Sequence, residues 1–157
     1  MRHFGERFPA MVLITLVNTM KIFTIIVRFF LAAVMITYSV AKFTGAQYDI
    51  PGEVFDIPLR DIDGITLVFT FLGYSKWFAF LVGFAEAVPA LLLLFRRTYL
   101  LGAVLLCPML LFIVLMNIAF GFSTHMIAWT AGLFLLNAIL LSTRWKEIAD
   151  VLRILLR

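Results

Sequence analysis

The sequence predicts an all-α membrane protein: a four-transmembrane-helix bundle with a long outer loop containing a short helix and a C-terminal amphipathic interfacial helix. Three observations carry that expectation. Hydrophobic residues make up 64% of the 157 residues, charged residues only 14%, and the mean hydropathy is +1.07. A soluble domain is about 45–50% apolar and about 25% charged, so water would face an apolar excess that a bilayer simply solvates. Four apolar runs approach the ~20 residues that a spanning helix needs. Lysines and arginines sit at the ends of those runs, where membrane proteins keep their anchors.

The spans are expected at about 22–43, 77–95, 99–120 and 126–141, within a single domain covering 1–157. The fourth is short; it either borrows residues 122–125 or starts thin at the outer interface. Ahead of the first span, residues 11–17 form a short apolar run after Arg2 and Arg7. It faintly resembles a signal peptide, but no small-residue cleavage site follows. It is expected to stay, either extending the first helix or lying on the cytoplasmic surface, with Met20-Lys21 as an alternative start. Residues 44–76 form the long connection. Its apolar stretch 65–72, followed by Gly73-Tyr74-Ser75, is too short to span, which leaves a short helix packed on the outer end or a re-entrant segment. In the tail, 145–157, Trp145, Ile148, Leu152 and Leu155 share one helical face while Lys146, Glu147, Asp150, Arg153 and Arg157 lie largely elsewhere. That pattern suits a helix lying in the cytoplasmic interface, with a continuation of the fourth helix into water as the alternative.

Orientation follows from the basic residues. With both termini in the cytoplasm, the inner side holds Arg2, Arg7, Lys21, Arg96, Arg97, Arg144, Lys146, Arg153 and Arg157. The outer side holds only Lys42, Arg60 and Lys76, beside the acidic Asp49, Glu53, Asp56, Asp61 and Asp63. The imbalance places the chain with positive charge inside, and a bacterial cytoplasmic membrane is the expected location. The same scatter of basic residues argues against nucleic acid as a partner, despite a formal charge of +4; the lipid bilayer is the partner the composition demands.

Several chemistries are excluded by what the chain lacks. Cys107 is the one cysteine, so no internal disulfide or dithiol exchange is available, and core packing is its expected role. His3 and His125 fall on opposite sides in this topology, so no haem or metal is expected. There is no glycine-rich phosphate loop, and neither Ser39 nor Ser75 has an evident base and orienting carboxylate. No catalytic residue is assigned, and an autonomous enzyme is not expected.

What remains is polar residues where they are costly. A charge at the bilayer centre costs about 2.5–3.5 kcal/mol on insertion scales, so it tends to face the bundle interior with a partner. Glu86 lies midway along the second span, roughly 15 Å from either end. Arg28, about 10 Å above Lys21, is its expected partner, and Asn137 on the fourth span would complete the layer. Lys42, at the outer end of the first span, is expected to be out of reach, as is Arg97, about 16 Å away. The layer either fixes helix register or contacts a ligand or proton; whether Glu86 is charged stays open. Pro89, one turn beyond, removes a backbone N–H and disturbs the carbonyl of Ala85. A second polar set collects at the outer end: Tyr38, Ser39, Lys42, Gln47, Asn117 and His125. Arg28, Ser39 and Lys42 share one helical face. The set is either the lining of an outer pocket roofed by the acidic loop or a group of interfacial anchors.

These residues also carry a resemblance. The run from Arg28 with Ser39-Val-Ala-Lys42-Phe43-Thr44-Gly45, then Gly83-Phe-Ala-Glu86, Leu91-Leu-Leu-Leu-Phe-Arg96-Arg97-Thr98, Gly102-Ala103 and Asn117, resembles DoxX-like membrane proteins over about 22–141. The resemblance implies a four-helix membrane bundle and an association with membrane redox systems, including small subunits of thiosulfate:quinone oxidoreductases. It leads to the expectation of a non-catalytic subunit of a redox or envelope complex, with a quinone or lipid pocket and a membrane redox subunit or a second copy as partner. A carrier for small or lipophilic solutes and a structural scaffold are the alternatives. The missing cysteine pair argues against a disulfide-forming role.

Overall fold

The computed structural model describes residues 7–48 and 58–155. Within them the chain forms α1 (Arg7–Phe43), a 3-10 turn (Leu59–Asp61), α2 (Gly64–Gly73), α3 (Lys76–Leu94), α4 (Tyr99–Ala119), α5 (Thr124–Ser142) and α6 (Trp145–Leu155). Among the described residues four stretches are long and apolar enough to cross a membrane: Val17–Phe43, Lys76–Leu94, Tyr99–Ala119 and Thr124–Ser142. The first helix is continuous from Arg7, so the apolar run before residue 22 extends it. His3, Asp49, Glu53, Asp56 and Arg157 lie outside the described residues.

The helix starts follow local chemistry. Asp63 accepts from the backbone N–H of Thr66, Ser75 from Phe78 and Ser123 from Met126, each taking up a donor that the first turn leaves free. The Thr66 N–H bond, followed by that of its hydroxyl, holds the Asp63 carboxyl below its ordinary value. Ser123 sets the start of α5 at Thr124, which lengthens the expected short fourth span.

Helix α1 packs against α3, α3 against α4 and α4 against α5, while α5 closes more loosely back onto α1. The interior is filled by Leu31, Ala32, Met35, Ala90, Leu93, Ala103, Leu106, Leu110, Leu133 and Leu140. Small residues let the helices approach: a Cβ on Gly102 would meet the carbonyl oxygen of Pro89 at 2.7 Å and the nitrogen of Leu93 at 2.9 Å. In lipid, where apolar burial drives little, such packing holds the helices together. Phe29, Phe80, Phe84, Leu91, Phe112, Ile118 and Leu135 point outward, an apolar coat suited to acyl chains. Helix α2 lies across one end of the bundle. Its first residue, Gly64, sits so close to the Phe120 carbonyl that a Cβ would overlap it.

Candidate functional site

The register of α1 against α3 decides which charges meet. The ring of Phe43, the last residue of α1, fills the space over Gly83, where a Cβ would come within 2.7 Å of it. Helix α1 therefore ends roughly 10 Å inside the start of α3 at Lys76. Side chains lean toward the N-terminus of their own helix, and these helices run antiparallel. Lys42 thus leans into the bundle and Glu86 leans back toward the α2 end. They meet at 2.7 Å between Nζ and Oε2, with side chains 4% and 3% exposed. This corrects the expectation that Lys42 is too far away and that Arg28 is the partner. That expectation compared Cα depths and set the outer ends of the two helices level.

Arg28 does different work. Its Nε and Nη2 donate to the Leu93 carbonyl at 3.0 and 2.9 Å, and Nη2 also donates to the Leu94 carbonyl at 3.2 Å. Its guanidinium stacks on the Tyr99 ring, 4.4 Å from the centroid. The last carbonyls of a helix lack partners and carry its negative dipole end; a buried arginine satisfies both at the end of α3. Asn137 donates through Nδ2 to the Ala103 carbonyl at 3.0 Å, tying α5 to α4, and its Oδ1 is buried without a partner among the described residues. Arg28, Glu86 and Asn137 are thus all buried, but each is bonded to a different partner rather than joined in one layer.

At the α2 end the chain closes over the Lys42–Glu86 pair. After α1 the backbone folds back, with the N–H of Gln47 donating to the Ala41 carbonyl at 3.1 Å and that of Tyr48 to Gly45 at 3.0 Å. Gly45 takes φ +78°, a left-handed turn that suits glycine. The Tyr48 ring meets Phe69 of α2 edge-on at 5.9 Å, and Phe69 meets Phe122 at 6.0 Å. Beneath this lid the Lys42 ammonium stands 5.7 Å from the centre of the Tyr38 ring. The Tyr38 hydroxyl accepts from Trp129 Nε1 at 2.7 Å. The hydroxyl of Tyr48, Oε1 of Gln47 and Oγ1 of Thr70 are buried with no partner among the described residues. Burial, and secondarily the Glu86 charge, push the Tyr48 phenol above its ordinary value.

The rest of the expected outer set divides. Ser39 is buried and donates to the Met35 carbonyl of its own helix at 2.8 Å. Asn117 is buried and donates to Thr130 Oγ1 at 3.0 Å, linking α4 to α5. His125 is exposed. Sequence reasoning passed over Tyr48, Thr70, Trp129 and Thr130. Tyr48 follows Gln47 directly, so the same turn that flagged one could have flagged the other.

The arrangement can hold an ion pair away from water and offer hydrogen bonds beside it. An ammonium carries three donors, and the Glu86 carboxylate takes one. The Tyr48 hydroxyl supplies another donor from the lid. Among the described residues no group of His, Cys, Asp or Glu is placed to hold a metal.

The chain is 40% identical over 94 residues to the uncharacterized protein YwoB of Bacillus subtilis (strain 168), a match covering 59% of each chain. It therefore spans less than two thirds of that curated relative. No solved structure matches. The profile of the DoxX family matches residues 23–117, which include α1 from its core-facing part, α2, α3 and most of α4 with Lys42, Glu86 and Asn117. With its four apolar helices, this is an integral, multi-pass membrane protein that belongs to the DoxX family.

Proposed function

We propose that this DoxX-family chain is a non-catalytic membrane subunit of a redox or envelope complex, and that the buried polar cluster under α2 forms a chamber that holds the polar head of a quinone. The observation that carries the reading is the Lys42–Glu86 pair, buried in the bundle at the end where Gln47, Tyr48 and Thr70 carry buried polar atoms with no partner among the described residues. Leaving a buried donor or acceptor unsatisfied costs about 1–3 kcal/mol. Groups left so are normally taken up by water or a ligand.

The donor set fits a quinone head, whose carbonyl oxygens accept hydrogen bonds. Lys42 and the Tyr48 hydroxyl would hold it, and Glu86 would keep the Lys42 side chain aimed. A bound quinone would supply two-electron, two-proton redox chemistry to a partner that carries the electrons. An isoprenoid tail would leave between α1 and α5, the pair of neighbouring spanning helices that pack least closely. Positive-inside bias would set the α2 end toward the outer leaflet, with both termini cytoplasmic.

A short-chain quinone analogue titrated into the purified protein tests this, with Trp129 fluorescence as the readout because its indole bonds to Tyr38 beside Lys42. E86Q and the double variant K42M/E86M should weaken binding at least about tenfold, while R97Q should leave it unchanged. Equal binding in all four proteins would remove the chamber assignment.

A further inference from the structure

The end of the bundle opposite α2 has a cavity that neither Lys42 nor Glu86 lines. It measures about 850 Å³ and opens between the N-terminal part of α1 and the facing ends of α3, α4 and α5. That volume falls within the range of about 300–1,000 Å³ usual for ligand sites. Four cations line it: Lys21, Arg28, Arg96 and Arg144. The rest of the wall is largely apolar, with Val17, Met20, Ile25, Phe29 and Leu94.

The cations are not equally committed. Arg144 is paired with Glu147. Arg28 spends Nε and Nη2 on the Leu93 and Leu94 carbonyls, leaving Nη1 with no hydrogen bond among the described residues. Lys21 and Arg96 have no carboxylate within ion-pair distance among the described residues, and both are exposed. Like charges gathered in one cavity repel unless an anion joins them. The cavity lies between the ends of α1 and α5, the pair of neighbouring spanning helices that pack least closely on one another.

We propose that this cavity seats the phosphate of an anionic phospholipid, held by Lys21 and Arg96 with the free edge of Arg28, its acyl chains running along Ile25 and Phe29. Basic pockets between membrane helices on the cytoplasmic side suit acidic headgroups. The occupant is a lipid rather than a free phosphate because the wall also carries the exposed apolar side chains of Val17, Met20, Ile25 and Phe29, which suit acyl chains. Arg144, already neutralised by Glu147, closes the rim, and the Glu147 carboxylate is kept off the anion by that bond.

The test compares purified wild type, K21Q/R96Q and R97Q in detergent, each with added phosphatidylglycerol, phosphatidylcholine or inorganic phosphate. Bound lipid is counted by native mass spectrometry, and melting temperature without lipid checks the fold. Arg97 neighbours Arg96 but does not line the cavity, so it controls for charge alone. At about 1 kcal/mol per basic residue near an anionic headgroup, losing both cations weakens binding roughly thirtyfold. The expected result is retention of phosphatidylglycerol by wild type and R97Q, its loss from K21Q/R96Q, and no effect of phosphatidylcholine. Equal retention by K21Q/R96Q and wild type would overturn the proposal. So would equal retention of phosphatidylcholine, or inorganic phosphate displacing the lipid at millimolar concentration, which would make this a simple anion site.

Discussion

Replacing Lys42 by methionine should be among the most damaging single changes in this protein, and replacing Glu86 with it should undo most of the damage. The two charged atoms lie 2.7 Å apart with side chains 4% and 3% exposed. At an effective dielectric of ~20 their attraction is about 6 kcal/mol. Taking each ion out of water costs several kcal/mol, so the pair as a whole contributes little net stability. Removing one member is different, because the other stays buried without compensation. That costs about 3–5 kcal/mol. For a chain of this length each kcal/mol moves the melting temperature by about 2–4 °C on soluble-protein calibrations, so K42M should melt on the order of 6–20 °C below wild type. K42M/E86M keeps the volume and removes both charges, and should fall within about 1 kcal/mol of wild type. Thermal unfolding in detergent, checked in nanodiscs, measures all four corners of the cycle. A K42M protein as stable as wild type, or a double variant that loses the sum of the two singles, would refute the buried pair.

Other consequences follow from the same geometry. R28M removes the guanidinium from the Leu93 and Leu94 carbonyls and should cost about 1.5–3 kcal/mol per charge-assisted bond lost, read as faster hydrogen exchange where α3 meets α4; R28K should recover only part of it. G102V should cost about 1–3 kcal/mol, because the backbone of Pro89 and Leu93 cannot move aside as a flexible side chain would. The Asp63 cap depends on its charge. Its carboxyl is held below the ordinary value, so its support of α2 is complete above that value and is lost as pH falls through the lowered one. D63A should remove the pH dependence of exchange at residues 64–67. Tyr48 shifts the other way: its neutral form supports the fold fully below the ordinary phenol value, and that support fades as pH rises beyond it. Ultraviolet titration should show a tyrosine ionising above the ordinary phenol value, and Y48F should abolish that late step.

Periodicity and length carry most of the fold. Helix α4, expected at about 99–120, is Tyr99–Ala119, and α3, expected at about 77–95, is Lys76–Leu94. The short loop helix expected at 65–72 is Gly64–Gly73. These are local properties: an apolar run is either long enough to span or it is not. The pairing of charges is not local. It depends on how far α1 slides along α3, and that is set by the Phe43 ring against Gly83 and by a loop whose length says nothing of its path. A slide of about two turns exchanges Arg28 for Lys42 as the partner of Glu86. The sequence did place Glu86, Arg28 and Asn137 among residues that face inward, because polar groups in a bilayer have nowhere else to go; for Lys42, Ser39 and Asn117 it left pocket lining and interfacial anchoring both open, and all three are buried. It did not show that Arg28 would be spent on carbonyls, since every helix end offers such acceptors and none is visible as a side chain.

The most direct measurement takes the protein out of its own membrane in polymer nanodiscs and identifies by mass spectrometry every protein and lipophilic molecule that travels with it, beside K42M/E86M treated in the same way. The account predicts a quinone near one per chain on the wild type, accompanied by a redox or envelope protein, and no quinone on the double variant. Bulk lipid alone on both proteins, with no partner, would contradict it.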